Sequence, residues 1–138
     1  HEEREAGFRS VLRAEHPALQ VIDMVDGNDD AETNYRSLRE VIAGTRDLRG
    51  VYCVGGGQSG AARALEDAGL GGRTVMIGHN FNDETRPFLM SGAIAALIHQ
   101  DMERIARAAL DRLLRTQGGG GNVVIPVEIV TRENMPAH

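Results

Sequence analysis

The spacing of apolar residues changes repeatedly along the chain between a helical and an extended pattern. Apolar positions that recur every three or four residues predict an amphipathic helix, and positions that run together or alternate predict a strand. The helical pattern covers Glu2–Glu15, Ala31–Ala43, a small-residue segment that ends at Ala68, Asp83–Ser91 and Asp101–Arg115. The extended pattern covers Ala18–Val25, Val51–Val54, Thr74–Gly78, Ala93–His99 and Val123–Val130. Pro126 interrupts the last run, which predicts an edge strand or a bulge.

Strands that alternate with helices across short loops favour an α/β fold with an open, mostly parallel sheet flanked by helices. Ligands of such sheets bind beyond the carboxyl ends of the strands. Those ends are predicted at Asp26–Asp30, Gly55–Gln58, Gly78–Asn82 and His99–Met102. The sequence opens inside a predicted helix rather than on a strand, and we therefore expect the chain to be part of a larger domain.

Composition narrows the class of function. The 138 residues suit about one domain, and a net charge of −5 argues against a basic nucleic-acid surface. All 15 basic residues are arginine, which excludes a lysine Schiff base and a P-loop lysine. Cys53 is the single cysteine, so an internal disulfide is excluded. No run approaches the roughly 20 apolar residues of a membrane span.

The Gly55–Gly60 loop fits the spacing G-x-G-x-x-G between a strand and a helix. Bare backbone and a helix N-terminus can bind a phosphate, so a dinucleotide site is one interpretation. The acid expected about 20 residues later is missing, because His79 and Asn80 occupy that region. A tight turn with close backbone packing, and a loop that binds a neutral ligand, are the other two interpretations.

Residues with reactive side chains give no catalytic or metal pattern. His79 and His99 both end strands, but no third ligand follows at metal-site spacing and no Ser–His–acid order is visible. We therefore expect no catalytic residue, no metal and no cofactor, and we predict that the protein is not an enzyme. Cys53 is interpreted as a small core residue, and Asp29 as a turn residue.

Several stretches together resemble one known family. They are Arg4–Phe8, Leu48–Tyr52, Gly60–Leu65, Val75–Asn80, Gly92–Asp101 and Arg132–Pro136. In this order they resemble the second half of the effector-binding domain of LacI/GalR-type transcriptional regulators. That domain is itself similar to the periplasmic sugar-binding proteins.

The resemblance implies that residues 1–138 form the C-terminal lobe of a two-lobed, type I periplasmic-binding-protein-like domain. A sugar or sugar-like effector would bind in the cleft between the lobes and control operator binding allosterically. The N-terminal lobe and the DNA-binding domain would lie outside this chain. A cytoplasmic location and a homodimer follow from the same resemblance, and no membrane partner is expected.

The resemblance also implies ligand contacts. Arg4 matches an arginine that forks onto ligand hydroxyls, a task for which a planar guanidinium is suited. Gln100 matches a glutamine at the hinge between the lobes. Asn80 stands where relatives often carry an aspartate, which changes an acceptor into a donor and acceptor. Gln58 could supply an amide at the end of the preceding strand.

Two other functions stay open. One is a sugar-binding protein of a transport system, although the Arg132–Pro136 ending favours the regulator. The other is a nucleotide-binding enzyme that uses the Gly55–Gly60 loop. The Asp101–Arg115 helix would lose its usual partner in an isolated lobe, and we expect it either to dock on another copy or to pack on its own sheet.

Overall fold

The structure is a computed structural model, and it describes residues 1–24, 28–114 and 122–136. Five helices and four strands occur in these ranges. In chain order they are α1 (Glu2–Glu15), α2 (Ala31–Gly44), β1 (Gly50–Tyr52), α3 (Gln58–Asp67), β2 (Val75–His79), α4 (Arg86–Ser91), β3 (Ala96–His99), α5 (Met102–Leu114) and β4 (Glu128–Val130). The predicted α/β class is confirmed.

The strands form one sheet in the order β1-β2-β3-β4. The pairs β1–β2 and β2–β3 are parallel, and β4 joins β3 antiparallel as an edge strand. The sheet is therefore open and mostly parallel, as predicted. The predicted strand over Val123–Val130 shortens to Glu128–Val130, after Pro126. Glu128 pairs with His99, the last residue of β3, and Pro126 has no backbone N–H with which to extend the ladder further.

The predicted strand over Ala18–Val25 was wrong for the described part of that segment. Residues 19–24 form no strand, and Val25 lies outside the described residues. Leu19 and Ile22 are nearly half exposed, and Met24 packs against the core. A strand exists only where a neighbour pairs its backbone groups, and β1 pairs with β2 instead of this segment.

The hydrophobic core lies between the sheet and helices α2, α3 and α4. Its largest fully buried apolar side chains are Leu38, Leu65, Met76, Leu89, Ile94 and Leu97. Gly60 brings α3 against the start of α2, because a Cβ built at Gly60 would lie 1.7 Å from the carbonyl oxygen of Ala31. Only glycine allows so close an approach of the two backbones.

The opposite face of the sheet is covered far less. Helix α1 reaches it through Phe8, whose ring centroid lies 4.7 Å from that of Tyr52. Helix α5 buries none of its residues, and Leu113 and Leu114 are each 77% exposed. Packing of α5 on its own sheet is therefore not observed, and docking on another copy stays a prediction. Within the described residues no helix has the length and apolarity to cross a membrane.

Candidate functional site

Arg4 connects two strand ends at the carboxyl edge of the sheet. Its Nη1 donates to the carbonyl oxygen of Val54, 3.0 Å away, just after β1. Its Nη2 donates to Oε1 of Gln100, also 3.0 Å away, just after β3. Because β2 lies between β1 and β3, the guanidinium crosses over the end of the central strand. Arg4 and Gln100, both predicted from the sequence, are thus brought together.

Helix α1 fixes the position of Arg4 through its next turn. Phe8 follows Arg4 by four residues, so both side chains lie on one helical face. The tilted contact between the rings of Phe8 and Tyr52, whose planes are 37° apart, anchors that face to β1. The side chain of Arg4 is partly buried, and its two bonds leave other N–H groups of the guanidinium to meet a ligand. This edge can therefore donate hydrogen bonds to neutral oxygen atoms or to an anion.

Asn80 lies directly after β2, at the same edge. Its backbone N–H donates to the carbonyl oxygen of Ile98 at 3.0 Å, and its carbonyl oxygen accepts from Oγ1 of Thr85 at 3.2 Å. Its φ is +60°, the left-handed region that asparagine adopts more readily than most residues. The backbone of Asn80 is thus fixed while its side chain is exposed.

Gln58 occupies a different environment from the ligand-facing one that was predicted. It is buried at the start of α3, with 6% of its surface exposed. Its Oε1 accepts from the backbone N–H of His79 at 3.0 Å, and its Nε2 donates to the carbonyl oxygen of the same residue. Both arms of the amide therefore hold the end of β2, and the geometry does not support a contact with ligand.

His79 and Tyr52 form a pair that sequence reasoning did not identify. Nε2 of His79 lies 2.9 Å from Oη of Tyr52, and the histidine is only 4% exposed. Burial lowers the pKa of His79, and the nearby Arg4 guanidinium lowers it further. Burial raises the pKa of Tyr52, while Arg4 opposes that shift. The register pairs Tyr52 with Ile77, so His79, two residues on, shares the face of Tyr52.

The other strand-end histidine, His99, supports the loop that follows β2. Nδ1 of His99 accepts from the backbone N–H of Phe81 at 3.2 Å, and the two rings meet edge to face. No three His, Cys, Asp or Glu side chains converge in a metal-binding arrangement within residues 1–24, 28–114 and 122–136.

The Gly55–Gly60 loop is closed by protein groups. The N–H of Gly56 donates to a carboxylate oxygen of Asp29, and its carbonyl accepts from Nδ2 of Asn34 at 3.1 Å. Gly57 has a φ of +65°, which favours glycine. The Asp29 carboxylate thus accepts a hydrogen bond from a backbone N–H that a phosphate would need. This agrees with the interpretation of the loop as a tight turn. Burial raises the pKa of Cys53, as expected of a packed thiol.

Comparisons with known proteins agree with this fold. Residues 1–131 match the family described as periplasmic binding protein domain. One similar solved structure is a carbohydrate transporter solute-binding protein from Agrobacterium radiobacter in complex with D-arabinose. It is 26% identical to this chain with a TM-score of 0.86, and the match covers 96% of this chain and 46% of that one. An ABC transporter solute-binding protein from Agrobacterium vitis, solved with D-fucose, is 24% identical with a TM-score of 0.85, over 95% and 46% of the two chains.

An arabinose-binding protein from Geobacillus stearothermophilus is also similar, at 24% identity and a TM-score of 0.79. The match covers 97% of this chain and 50% of that protein. This chain therefore spans about half the length of the solved structures that it matches. No curated protein matches it.

Proposed function

Because the chain belongs to the periplasmic binding protein domain family, we propose that it is one lobe of a sugar-binding protein of a transport system. The solved structures that support this proposal are solute-binding proteins of sugar transporters, two of them holding D-arabinose and D-fucose. The chain spans about half of them, and the proposal includes a second lobe that closes over the sugar from the other side.

The observation that carries the proposal is the placement of Arg4. Its guanidinium is held at the carboxyl edge of the sheet by Val54 and Gln100. A sugar offers neighbouring hydroxyl oxygens at a spacing that the planar fork of N–H groups matches. The same guanidinium would also suit a sugar acid, since a carboxylate accepts two parallel hydrogen bonds.

Two amides complete the set of polar groups in the proposed site. Gln100 uses Oε1 to accept from Arg4, which directs the amide nitrogen to act as a donor. Asn80 presents an exposed amide next to the end of β2 and can both donate and accept. These are the contacts that hydroxyl groups require, because each hydroxyl is itself both donor and acceptor.

Calorimetric titration with D-arabinose and D-fucose tests the proposal, on the whole protein that carries this lobe. We expect Arg4→Ala to weaken sugar binding by about 2 kcal/mol, or about thirtyfold, since charged donors are lost. Arg13→Ala is the matched control, because Arg13 is an exposed arginine on the same helix. Equal sugar affinities of Arg4→Ala and the unmodified protein would contradict the proposal. Binding of a dinucleotide in place of any sugar would instead favour a nucleotide site at the Gly55–Gly60 loop.

A LacI-type effector sensor is the second candidate function. The observation that favours it is the ending Arg132–Pro136. In the structure this ending is an ordered turn, in which Nδ2 of Asn134 donates to the carbonyl of Ile129 at 2.9 Å. Under this candidate function we also propose that the whole protein binds operator DNA, forms a homodimer and is cytoplasmic. DNA binding by the whole protein that changes on adding sugar would favour it over a transport role.

A further inference from the structure

The proposed function makes no use of His79, a buried ring beside the Arg4 site. We propose that His79 is a positioning residue: its neutral ring, held by Tyr52, keeps Arg4 at the carboxyl edge, and its protonation displaces Arg4 and lowers sugar affinity. The positioning of Arg4 is a property of this chain alone, while the effect on affinity rests on the proposed function.

The surroundings of His79 fix its ring in one place. Gln58 holds its backbone N–H and carbonyl from α3, and Tyr52 holds Nε2 from β1 at 2.9 Å. The ring of Tyr52 in turn contacts the ring of Phe8, which lies one helical turn after Arg4. His79, Tyr52 and Phe8 therefore form a continuous support that sets where α1, and with it Arg4, meets the sheet.

The charged form of His79 does not suit this environment. Both ring nitrogens of an imidazolium are donors, whereas Nδ1 is buried and has no hydrogen-bond partner among the described residues. In the imidazolium, Nδ1–H is therefore a buried donor without an acceptor, which is costly. The charge would also lie close to the Arg4 guanidinium, and like charges repel in a partly desolvated site.

No carboxylate is placed to offset that charge within the described part of the chain. Tyr52 from β1 and Arg4 from α1 face the His79 ring, while the neutral amide of Gln58 from α3 bonds to the backbone of His79. On β3 the register pairs His79 with Ile98, which puts His99 on the other face of the sheet. Arg4 is thus the charged group that responds when His79 takes up a proton.

Side-chain NMR of the labelled 138-residue chain tests the positioning role without any ligand. We expect the guanidinium N–H signals of Arg4 to lose their protection from solvent with the same pH midpoint as the ring of His79. His79→Gln keeps a group that can bond to Tyr52 but cannot become charged, and in it the Arg4 signals should stay protected through that range. His99→Gln is the matched control and should behave as the unmodified chain.

Tyr52→Phe gives a second route if His79→Gln does not fold. It keeps the ring that Phe8 contacts and removes the hydroxyl that bonds to His79. We expect the midpoints of the His79 and Arg4 signals to shift together in this variant. Arg4 signals that ignore the titration of His79, or midpoints that separate in Tyr52→Phe, would overturn the inference.

Sugar affinity then measures the functional consequence in the whole protein, with D-arabinose and D-fucose as probes. If protonation of His79 and binding exclude each other, affinity falls about tenfold per pH unit below the His79 midpoint. His79→Gln should remove this slope and His99→Gln should keep it. Equal slopes of affinity against pH in both variants would contradict the role of His79. Absence of sugar binding at every pH would overturn the proposed function, and the NMR result alone would then decide the positioning role.

Discussion

Helices α3 and α5 have similar lengths and opposite environments. Helix α3 is built mainly of small residues, and it buries Gly60, Ala61, Ala62, Ala64 and Leu65. Helix α5 has the more regular apolar stripe, with Ile105, Ala109 and Leu113 one turn apart, and it buries none of its residues. A regular stripe thus predicts a helix without saying whether a partner covers it, whereas a run of small residues marks where two backbones approach closely.

The largest expected effect comes from adding one methyl group to the tight contact of α3. Gly60→Ala would place a Cβ 1.7 Å from the carbonyl oxygen of Ala31, so the two helices must separate. We expect the free energy of unfolding to fall by more than about 4 kcal/mol, or the chain not to fold. Urea unfolding followed by circular dichroism measures this loss.

Gly7→Ala is the matched control for that substitution. A Cβ at Gly7 meets no atom within 4 Å, and the residue lies in the exposed part of α1. Alanine should therefore raise stability there, by up to about 1 kcal/mol, because it favours the helix. A similar outcome for both glycines would mean that α3 and α2 are not in close contact.

Removal of a leucine side chain from each helix sharpens the comparison. Leu65 in α3 is fully buried, and Leu65→Ala should cost about 3 kcal/mol of unfolding free energy through the cavity it leaves. Leu114 in α5 is 77% exposed, and Leu114→Ala should change stability by less than about 0.5 kcal/mol. A larger, concentration-dependent loss for Leu114→Ala, seen in thermal unfolding, would instead support docking of α5 on another copy.

A smaller effect is expected where α3 is tied to the sheet by polar contacts. Gln58→Leu keeps the volume of the side chain but leaves the N–H and carbonyl of His79 without their partner. This should cost about 2 kcal/mol, while Gln20→Leu at an exposed position should cost little. If sugar affinity fell while stability did not change, the ligand role first predicted for Gln58 would be restored.

The sequence predicted those parts of the fold that depend on local pattern. Helix α1 has the predicted bounds, and β2 lies within one residue of its predicted position. The segment around Leu19 and Ile22 has the composition of a strand but forms none, because pairing depends on a neighbour rather than on its own side chains. The final strand is shorter than predicted because its partner β3 ends at His99, opposite Glu128, and because Pro126 has no N–H with which to extend the ladder.

The residues of the candidate site also differ in whether the sequence could predict them. The resemblance to a family predicted Arg4 and Gln100 separately as ligand contacts, whereas the hydrogen bond between them, 96 positions apart, is seen only in the structure. The pairing of Tyr52 with His79 depends on the register of β1 against β2, which decides which residues share a face. The bonds of Gln58 to the backbone of His79 were not predicted, because a strand-end amide can bond to backbone as readily as to a ligand and the sequence does not show its burial.

The left-handed backbone of Asn80 has a consequence for how specificity can change. Asparagine, aspartate and glycine all tolerate a φ of +60°, so exchange among them leaves the strand end in place. The amide donates and accepts, a carboxylate only accepts, and glycine offers no side-chain group. In the proposed sugar-binding site, single substitutions among these three residues would therefore change the hydrogen-bonding groups offered to a ligand while the backbone at the end of β2 stays in place.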